Sequence, residues 1–539
     1  MKNLARTLAL LFCTVAAATC LHAAPQPCEQ LAQLALPNAT VTSAQIVAAG
    51  AFTPPASSSP WLTGDPHFYS TLPAFCRVQV TDKPSADSNI KIEVWMPSSG
   101  WNGKFRGQGN GGFAGEIDYR SLGVAVQQGY ATAATDTGHA AAGTDGSWAL
   151  GHPEKIRDFA YRGVHEMTAI GKAATKALYG DAPEHAYFSN CSNGGRQALM
   201  EVQRYPDDYD GVIAGAPANY WTHLLGAALY DAQATTLDPA SYIPITKIPA
   251  IAKAVNAACD AQDGVADGVV NDPPKCHFEA ASMLCKAGDS DSCLTAPQVA
   301  ALKKLYGGAH FSNGQEIFPG YLPGAEDGQG GWGLWITGPA PGQGLIFAFG
   351  IGFFSNMQYE QKDWDYKKAN VDEAVHAADK KFGNVFNATE SNLKPFASRG
   401  GKLIIYHGWN DAAISALNSI NYYKSVVSKM GKKDADSFLR LYMVPGMMHC
   451  GLGPGPNMFG NLLDLAPVAD PEHNIEVALH QWVERGVVPS NLVATKYVEN
   501  NPGKGVEMTR PLCSYPAVAT YIGKGDPKQA SSWRCQKPK

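Results

Sequence analysis

The segment Tyr187-Phe188-Ser189-Asn190-Cys191-Ser192-Asn193-Gly194-Gly195-Arg196 constrains this chain more than any other stretch. Its pattern predicts a short strand, a tight glycine-rich turn and then a helix. A serine at such a turn is lifted out of the sheet, with its hydroxyl exposed beside the first free amides of the helix. That is the geometry of a nucleophile elbow. A second feature lies far downstream. Cys191 and Ser192 are adjacent, and so are His449 and Cys450. A bond between these two cysteines would carry the imidazole to the hydroxyl.

The elbow sits in an alternation of strands and helices. Residues 89–97 alternate apolar and polar side chains, as a half-buried strand does. Residues 129–135 read as a more buried strand, and Phe159, Val164, Met167, Ile170 and Ala174 give 157–179 a helical spacing. A strand follows at 186–189, a helix after Ser192, and an apolar strand at 211–216. This order argues for an α/β fold, a mostly parallel sheet flanked by helices. The rhythm breaks near 220, where Gly, Pro, Asp and aromatic residues take over until about 395. It resumes with strands at 401–406 and 438–444 and an amphipathic helix at 473–485. The expected division is a first α/β part at 25–219, an inserted lid domain at 220–395, and a second α/β part at 396–539. An independent second domain is the alternative for the middle segment. A chain of 539 residues is long enough for either.

Residues 1–24 have the form of a secretory signal. Lys2 and Arg6 precede an apolar run from Leu8 to Ala18, and Ala23 and Ala24 form a small-residue cleavage zone. The expected location is secreted or periplasmic, with no membrane span in the mature form. A net charge of −5 offers no basic surface for nucleic acid. Of 12 cysteines, Cys13 and Cys20 fall in the leader. The other ten, an even number in an oxidising compartment, suggest five disulfides. Near neighbours suggest Cys28–Cys76, Cys259–Cys276, Cys285–Cys293 and Cys513–Cys535, which leaves Cys191 and Cys450. Sequence alone does not fix this connectivity. No CxxC spacing occurs, which argues against zinc.

Three side chains would complete a hydrolase. Ser192 is the candidate nucleophile, His449 the base that takes and returns its proton, and Asp411 the carboxylate that orients the imidazole. Asp411 and His449 each follow an expected strand, so their loops would meet at one sheet edge. Asp136 is the rival acid; His139 and His407 are rival histidines that would more naturally shape the site. An oxyanion needs fixed donors. The amide of Asn193 is one candidate. The second would come from the glycine-rich loop 109–113, with Gly112 favoured to within a residue or two.

A separate acidic cluster holds Asp260, Asp263 and Asp267 within eight residues, with glycines between them. Such carboxylates repel unless a hard cation sits among them. Calcium would accept all three, along with the backbone carbonyls of Val265 and Val269. The spacing is not that of an EF-hand, and a solvated acidic turn is the alternative. The role would be structural.

At these residues the chain resembles the tannase and feruloyl esterase family of α/β-hydrolases. The matching segments are WNGKFRGQGNGGFAG, TDTGH, CSNGGRQALMEVQRYPDDYDGVIAGAPA, CDAQDGVADGVVNDP, HGWNDAAIS and VPGMMHCGLGPG, spread over nearly all of the mature chain. The resemblance implies a serine carboxylesterase with a lid domain and a Ser192–Asp411–His449 triad. It also implies a Cys191–Cys450 bond beneath the triad and calcium at Asp260, Asp263, Val265, Asp267 and Val269. The family usually has glycine where Asn190 stands. Asn tolerates tight conformations, so a small effect on the turn is expected.

The family includes hydrolases of gallate, hydroxycinnamate and mono(2-hydroxyethyl) terephthalate esters. The last type uses a lid arginine to hold a carboxylate, and here no arginine occurs between Arg204 and Arg399. A feruloyl or galloyl ester fits better, a small aromatic substrate carried on plant polysaccharide or polyphenol. Trp332, Trp335, Phe353 and Phe354 are candidates to stack on the aromatic acid, with Phe347 and Phe349 nearby in sequence; packing inside the lid is the equal alternative for each. Terephthalate monoester hydrolysis, a peptidase on the same fold, and a non-catalytic calcium-binding protein on a hydrolase fold are the competing readings.

Overall fold

The computed structural model describes residues 25–57, 65–324, 326–461 and 469–537. The expected leader at 1–24 lies outside the described residues. Nine strands form one sheet: β1 (Ala39–Val47), β2 (Phe75–Asp82), β3 (Ile90–Pro97), β4 (Lys104–Gly107), β5 (Ala131–Thr135), β6 (His185–Cys191), β7 (Gly211–Gly215), β10 (Lys402–Gly408) and β11 (Leu439–Val444). Strands β8 (Ala309–His310) and β9 (Glu316–Phe318) make a separate hairpin. The sheet order is β1-β2-β3-β5-β4-β6-β7-β10-β11. The first four strands in that order pair antiparallel, and from β5 to β11 every pairing is parallel. The fold is the α/β-hydrolase arrangement, mostly parallel and flanked by helices. Strands β1 and β2 were not expected from the sequence.

Parallel strands buried on both faces should show apolar side chains at every position, divided between two cores by the two-residue period of the strand. β10 does this. Leu403 and Ile405 join one core, and Ile404 and Tyr406 join the other. β7 divides the same way, Val212 and Ala214 against Ile213, and β6 sends Phe188 one way and Tyr187 the other. Helices α1 (Gly163–Tyr179), α2 (Asn193–Arg204) and α3 (Leu417–Met430) cover the first face through Met167, Leu199 and Val426. Helix α4 (Ile475–Arg485) covers the second through Leu479 and Trp482. α4 starts where the Asn474 side chain accepts from the amides of Glu476 and Val477, and stops at Gly486 in the left-handed region.

Between β7 and β10 no described residue joins the main sheet. This stretch builds two apolar cores of its own. One gathers Trp221, Leu224, Phe353, Phe354, Phe382 and Phe386; the other gathers Ile248, Val255, Leu302, Leu305 and Trp332. Both extend into the main body. Phe113, Phe159, Ala413 and Ile414 belong to the first, and Ala412 to the second. The chain ends in two small hairpins, β12 (Asn491–Tyr497) with β13 (Val506–Cys513) and β14 (Val518–Tyr521) with β15 (Trp533–Gln536). Among the described residues no helix is long and apolar enough to cross a membrane.

All five expected disulfides form: Cys28–Cys76, Cys191–Cys450, Cys259–Cys276, Cys285–Cys293 and Cys513–Cys535. Cys191–Cys450 closes a span of 259 residues. In the chain-entropy account such a link destabilises the unfolded chain by about 5–6 kcal/mol. Replacing both cysteines with serine should lower the denaturant midpoint by a comparable free energy under oxidising conditions. An unchanged midpoint would mean that the strands alone hold these two ends together.

Candidate active site

Ser192 follows β6 and precedes α2, and its backbone takes φ 67°, ψ −126°. A non-glycine residue in that region is strained and persists only where its surroundings fix it. Here the Ser192 amide donates to the Gly215 carbonyl at 2.9 Å, and the Ser192 carbonyl accepts from Arg196 and Ala218. The glycines after it are a steric requirement. A Cβ on Gly194 would fall on the Asn190 amide oxygen, and one on Gly195 would fall on the Gly215 carbonyl. Asn190 itself remains in the strand, paired with Ala214, and its side chain accepts from the Cys191 amide at 2.8 Å. Asn190 therefore needs no left-handed backbone.

The loops after β6, β10 and β11 meet at the carboxyl edge of the sheet. His449 Nε2 stands 2.9 Å from Ser192 Oγ, and its Nδ1 stands 2.7 Å from Asp411 Oδ2. The imidazole is nearly enclosed and the carboxylate fully so. Asp411 Oδ1 accepts from the amides of Ala413 and Ile414, both at 2.8 Å. Its Oδ2 also faces His407 Nε2 at 3.2 Å. That nitrogen lies 3.0 Å from the Ile414 carbonyl, which only accepts, so it carries the hydrogen. His407 Nδ1 then accepts from the Ser419 hydroxyl at 2.7 Å. His407 is thus a donor to the carboxylate and not a second base.

Burial opposes the charge on Asp411, but the His449 and His407 imidazoles outweigh it and hold the carboxyl well below the usual carboxylate range. Neither rival competes. Asp136 accepts from the amides of Lys91 and Gly138 and meets no imidazole, and burial pushes it up to about 7. His139 stacks on Trp148 at 3.7 Å and donates from Nε2 to the Phe113 carbonyl at 2.8 Å; burial pushes it down to about 4.

The glycine loop is docked on the elbow by side chains that the sequence did not single out. Gln197 accepts from the Asn110 amide at 3.0 Å and donates to the Asn110 side chain at 2.7 Å. Asn193 Nδ2 donates to the Asn110 carbonyl at 3.2 Å. The Phe113 amide is taken by the Gly143 carbonyl at 2.7 Å. Among the described residues the amides of Gly111 and Gly112 have no protein acceptor.

Of the four aromatic residues expected at the substrate, one lies at the site. Trp335 sets its edge against His449 at 4.8 Å. Trp332 is buried against Tyr306 and Tyr321, and Phe353 and Phe354 are fully enclosed among Phe382, Phe386, Tyr359 and Trp364. These three pack the inserted stretch and offer no face to a ligand. Phe349 lies between Trp335, at 6.3 Å, and Phe113, at 5.2 Å. An aromatic row thus runs from His449 to the residue after Gly112.

In the acidic loop, Asp260 accepts from the amides of Asp267 and Gly268, and Asp263 Oδ1 accepts from the Val265 amide. Asp267 pairs with Arg510 of β13 at 2.5 Å. Asp263 Oδ2 is buried with no partner. Only the Asp267 carboxylate pairs with Arg510, whose Nε and Nη1 are themselves buried without a partner, and among the described residues the ligand atoms of Asp260, Asp263 and Asp267 do not gather within 4.8 Å of one another. Elsewhere among the described residues, His165, Glu201 and Asp208 form a group able to hold a metal ion. As they stand, His165 Nδ1 meets Asp208 Oδ2 at 2.6 Å and the Lys172 ammonium meets the Asp208 carbonyl.

The family model "Tannase and feruloyl esterase" matches residues 76–536. The chain belongs to the tannase and feruloyl esterase family. It is 41% identical to an uncharacterized esterase of Xanthomonas campestris pv. campestris over 99% of this chain and 95% of that one. It is 34% identical to a probable feruloyl esterase B-2 of Aspergillus terreus over 85% of this chain and 86% of that one. Among solved family structures, feruloyl esterase B from Aspergillus oryzae superposes with a TM-score of 0.86 at 31% identity, covering 94% of this chain and 99% of that one. The tannin acyl hydrolase of Aspergillus niger gives 0.73 at 25% identity, covering 95% of each chain.

The depressed Asp411 carboxyl has a pH signature. A carboxyl whose folded pKa is lowered stabilises the fold fully above its unfolded value and loses that contribution as pH falls through the folded value. The stability gap between the wild type and Asp411→Asn should therefore stay constant above about pH 4 and narrow as pH falls below it. Denaturant titrations from neutral to acid pH test this.

Proposed function

We propose that the protein is an exported serine carboxylesterase acting on esters of phenolic acids, with feruloyl and galloyl esters as the substrate class. The observation that carries this is the His449 imidazole, hydrogen-bonded to the Ser192 hydroxyl on one side and the Asp411 carboxylate on the other. His449 takes the proton as Ser192 Oγ attacks the ester carbonyl. Asp411 keeps the hydrogen on Nδ1 and offsets the positive charge that forms. The tetrahedral oxyanion is received by the Asn193 amide and an amide of the glycine loop, Gly112 being favoured and Gly111 its neighbour. Collapse expels the alcohol with the proton from His449. Water then repeats the sequence on the acyl-enzyme and releases the acid.

Substrate class rests on two observations. Trp335 and Phe349 supply aromatic surface beside His449, suited to a planar acyl ring. The stretch from 205 to 398 contains no arginine, so a terephthalate carboxylate has no guanidinium partner there. The inserted 220–395 segment acts as the lid that brings Trp335 to the site. A phenolic ester displayed on plant polysaccharide or polyphenol is the natural form of such a substrate. Five disulfides and the leader-like residues 1–24 support export.

The purified enzyme should cleave methyl ferulate or a gallate ester faster than a terephthalate monoester. A fluorophosphonate probe should label the wild type and leave Ser192→Ala unlabelled. Cleavage of none of these esters, or labelling that survives Ser192→Ala, would sink the reading.

For the acidic loop we propose structural calcium held by Asp260, Asp263, Asp267 and the carbonyls of Val265 and Val269. Chelation should lower the thermal midpoint, with recovery on adding Ca2+ but not Mg2+. Asp263→Asn should abolish that response. A midpoint indifferent to chelator would reject the calcium assignment.

A further inference from the structure

Arg196 stands three residues beyond Asn193, and none of the steps above uses it. Its side chain is fully buried. Among the described residues no carboxylate pairs with it. The charge meets the rings of Phe159, Trp221 and Phe386 at 5.2, 5.0 and 5.6 Å instead. The carbonyls of Ala160 and Phe159 accept from its terminal nitrogens at 2.6 and 3.3 Å. A guanidinium taken out of water without a counterion is costly to hold, and burial pushes its pKa down to about 9. An apolar side chain would fill this aromatic cage at lower cost. What it would not do is donate to Asn193 Oδ1, as Arg196 Nε does at 2.9 Å.

That bond decides which way the Asn193 amide faces. With Oδ1 turned to the guanidinium, Nδ2 is left to donate to the Asn110 carbonyl at 3.2 Å. The Asn110 carbonyl shares a rigid peptide plane with the Gly111 amide, so fixing one fixes the other. Gln197 grips Asn110 by its amide and side chain. At the other end of the loop, His139 and Gly143 hold the Phe113 carbonyl and amide. The two free amides, Gly111 and Gly112, lie between these clamps.

We propose that Arg196 is a positioning residue for acyl transfer: through the Asn193 side chain it holds the glycine loop at the spacing from the Asn193 amide that a developing oxyanion requires. This rests on the esterase reading of Ser192. Arg196 touches neither the substrate nor the reacting atoms. It is the charged end of a relay that keeps two separate chain segments in one donor geometry.

The test compares Arg196→Lys, which retains the charge but not the fork, with Asn193→Leu, which retains the volume but not the relay, and with the double variant. Each is assayed on methyl ferulate and titrated with an aryl trifluoromethyl ketone, whose hemiketal oxyanion occupies the same donors. Both single variants should lose about 10- to 100-fold in kcat, somewhat less than removal of a donor outright, with KM within about twofold. The ketone Ki should weaken by the same factor as kcat/KM. The double variant should be no worse than the poorer single, since both act along one path. A folded Asn193→Leu enzyme with kcat within about twofold of wild type would overturn the proposal, as would a loss confined to KM with an unchanged ketone Ki. If Arg196→Lys does not fold, Asn193→Leu decides alone. Full activity in Ser192→Ala would instead bring down the esterase reading on which the proposal stands.

Discussion

Ser192 and His449 are each the immediate chain neighbour of one disulfide, and the geometry of the sheet explains why that link matters. The serine follows β6 and the histidine follows β11, with β7 and β10 between them. Three strand spacings amount to roughly 14 Å. The loop after β11 must therefore reach back across the sheet edge, over the loop that carries Asp411, before Nε2 can meet Oγ. A hydrogen bond of 2.9 Å tolerates little error at the end of such a reach. The Cys191–Cys450 bond fixes the two backbones within 5.9 Å of each other at the adjacent residues. Left-handed residues at Gly446 and, with strain, at Cys450 and Leu452 then coil the rest of the loop.

The acid is supported from a different direction. The loop carrying Asp411 is lined on its outer side by the inserted stretch. Asn410 donates to the Pro323 carbonyl at 3.1 Å, and the Ser415 hydroxyl donates to the Gly320 carbonyl at 2.6 Å. Ala412 enters the core around Trp332, while Ala413 and Ile414 enter the core around Phe353 and Phe386. The amides that fix Asp411 Oδ1 belong to Ala413 and Ile414. Aromatic side chains that the sequence offered as substrate contacts thus pack the wall against which the Asp411 loop rests.

This division marks what a sequence shows and what it hides. Strand and helix periods made β3, β5, β6, β7, β10, β11, α1 and α4 readable, because alternation and helical spacing are local properties. The elbow was readable because glycines are required where a helix start crowds Gly215 and Asn190. β1 was not, since it lies at the sheet edge with an irregular burial pattern, whereas Cys76, Val78 and Val80 of β2 alternate with Arg77, Gln79 and Thr81 and that period was present in the sequence. Whether an aromatic residue faces the His449 imidazole or the core depends on which neighbours surround it, and Trp335 and Phe353 carry no local difference that tells them apart. Gln197 and Arg196 lie in or beside the elbow motif, yet Gln197 meets Asn110, 87 residues away, and Arg196 meets the Ala160 carbonyl, 36 residues away. Charge and position in sequence do not reveal such pairings.

The acidic loop shows the same non-locality in its energetics. Its seventeen-residue disulfide, Cys259–Cys276, closes the loop but cannot neutralise it. Neutralisation comes in part from Arg510, 243 residues away, whose guanidinium lies 3.8 Å from the Trp533 ring centre as it reaches Asp267. Val265 packs with Cys513, Ala519 and Trp533, and Asn271 donates to the Ala519 carbonyl at 2.8 Å. The inserted stretch and the terminal hairpins therefore share one small core around the loop. Asp263 Oδ2 is buried without a partner, as are Arg510 Nε and Nη1, and a buried acceptor left unmade costs about 1–3 kcal/mol. A divalent ion bound among these carboxylates would remove that cost and join the insertion to the C-terminal hairpins through charge as well as packing.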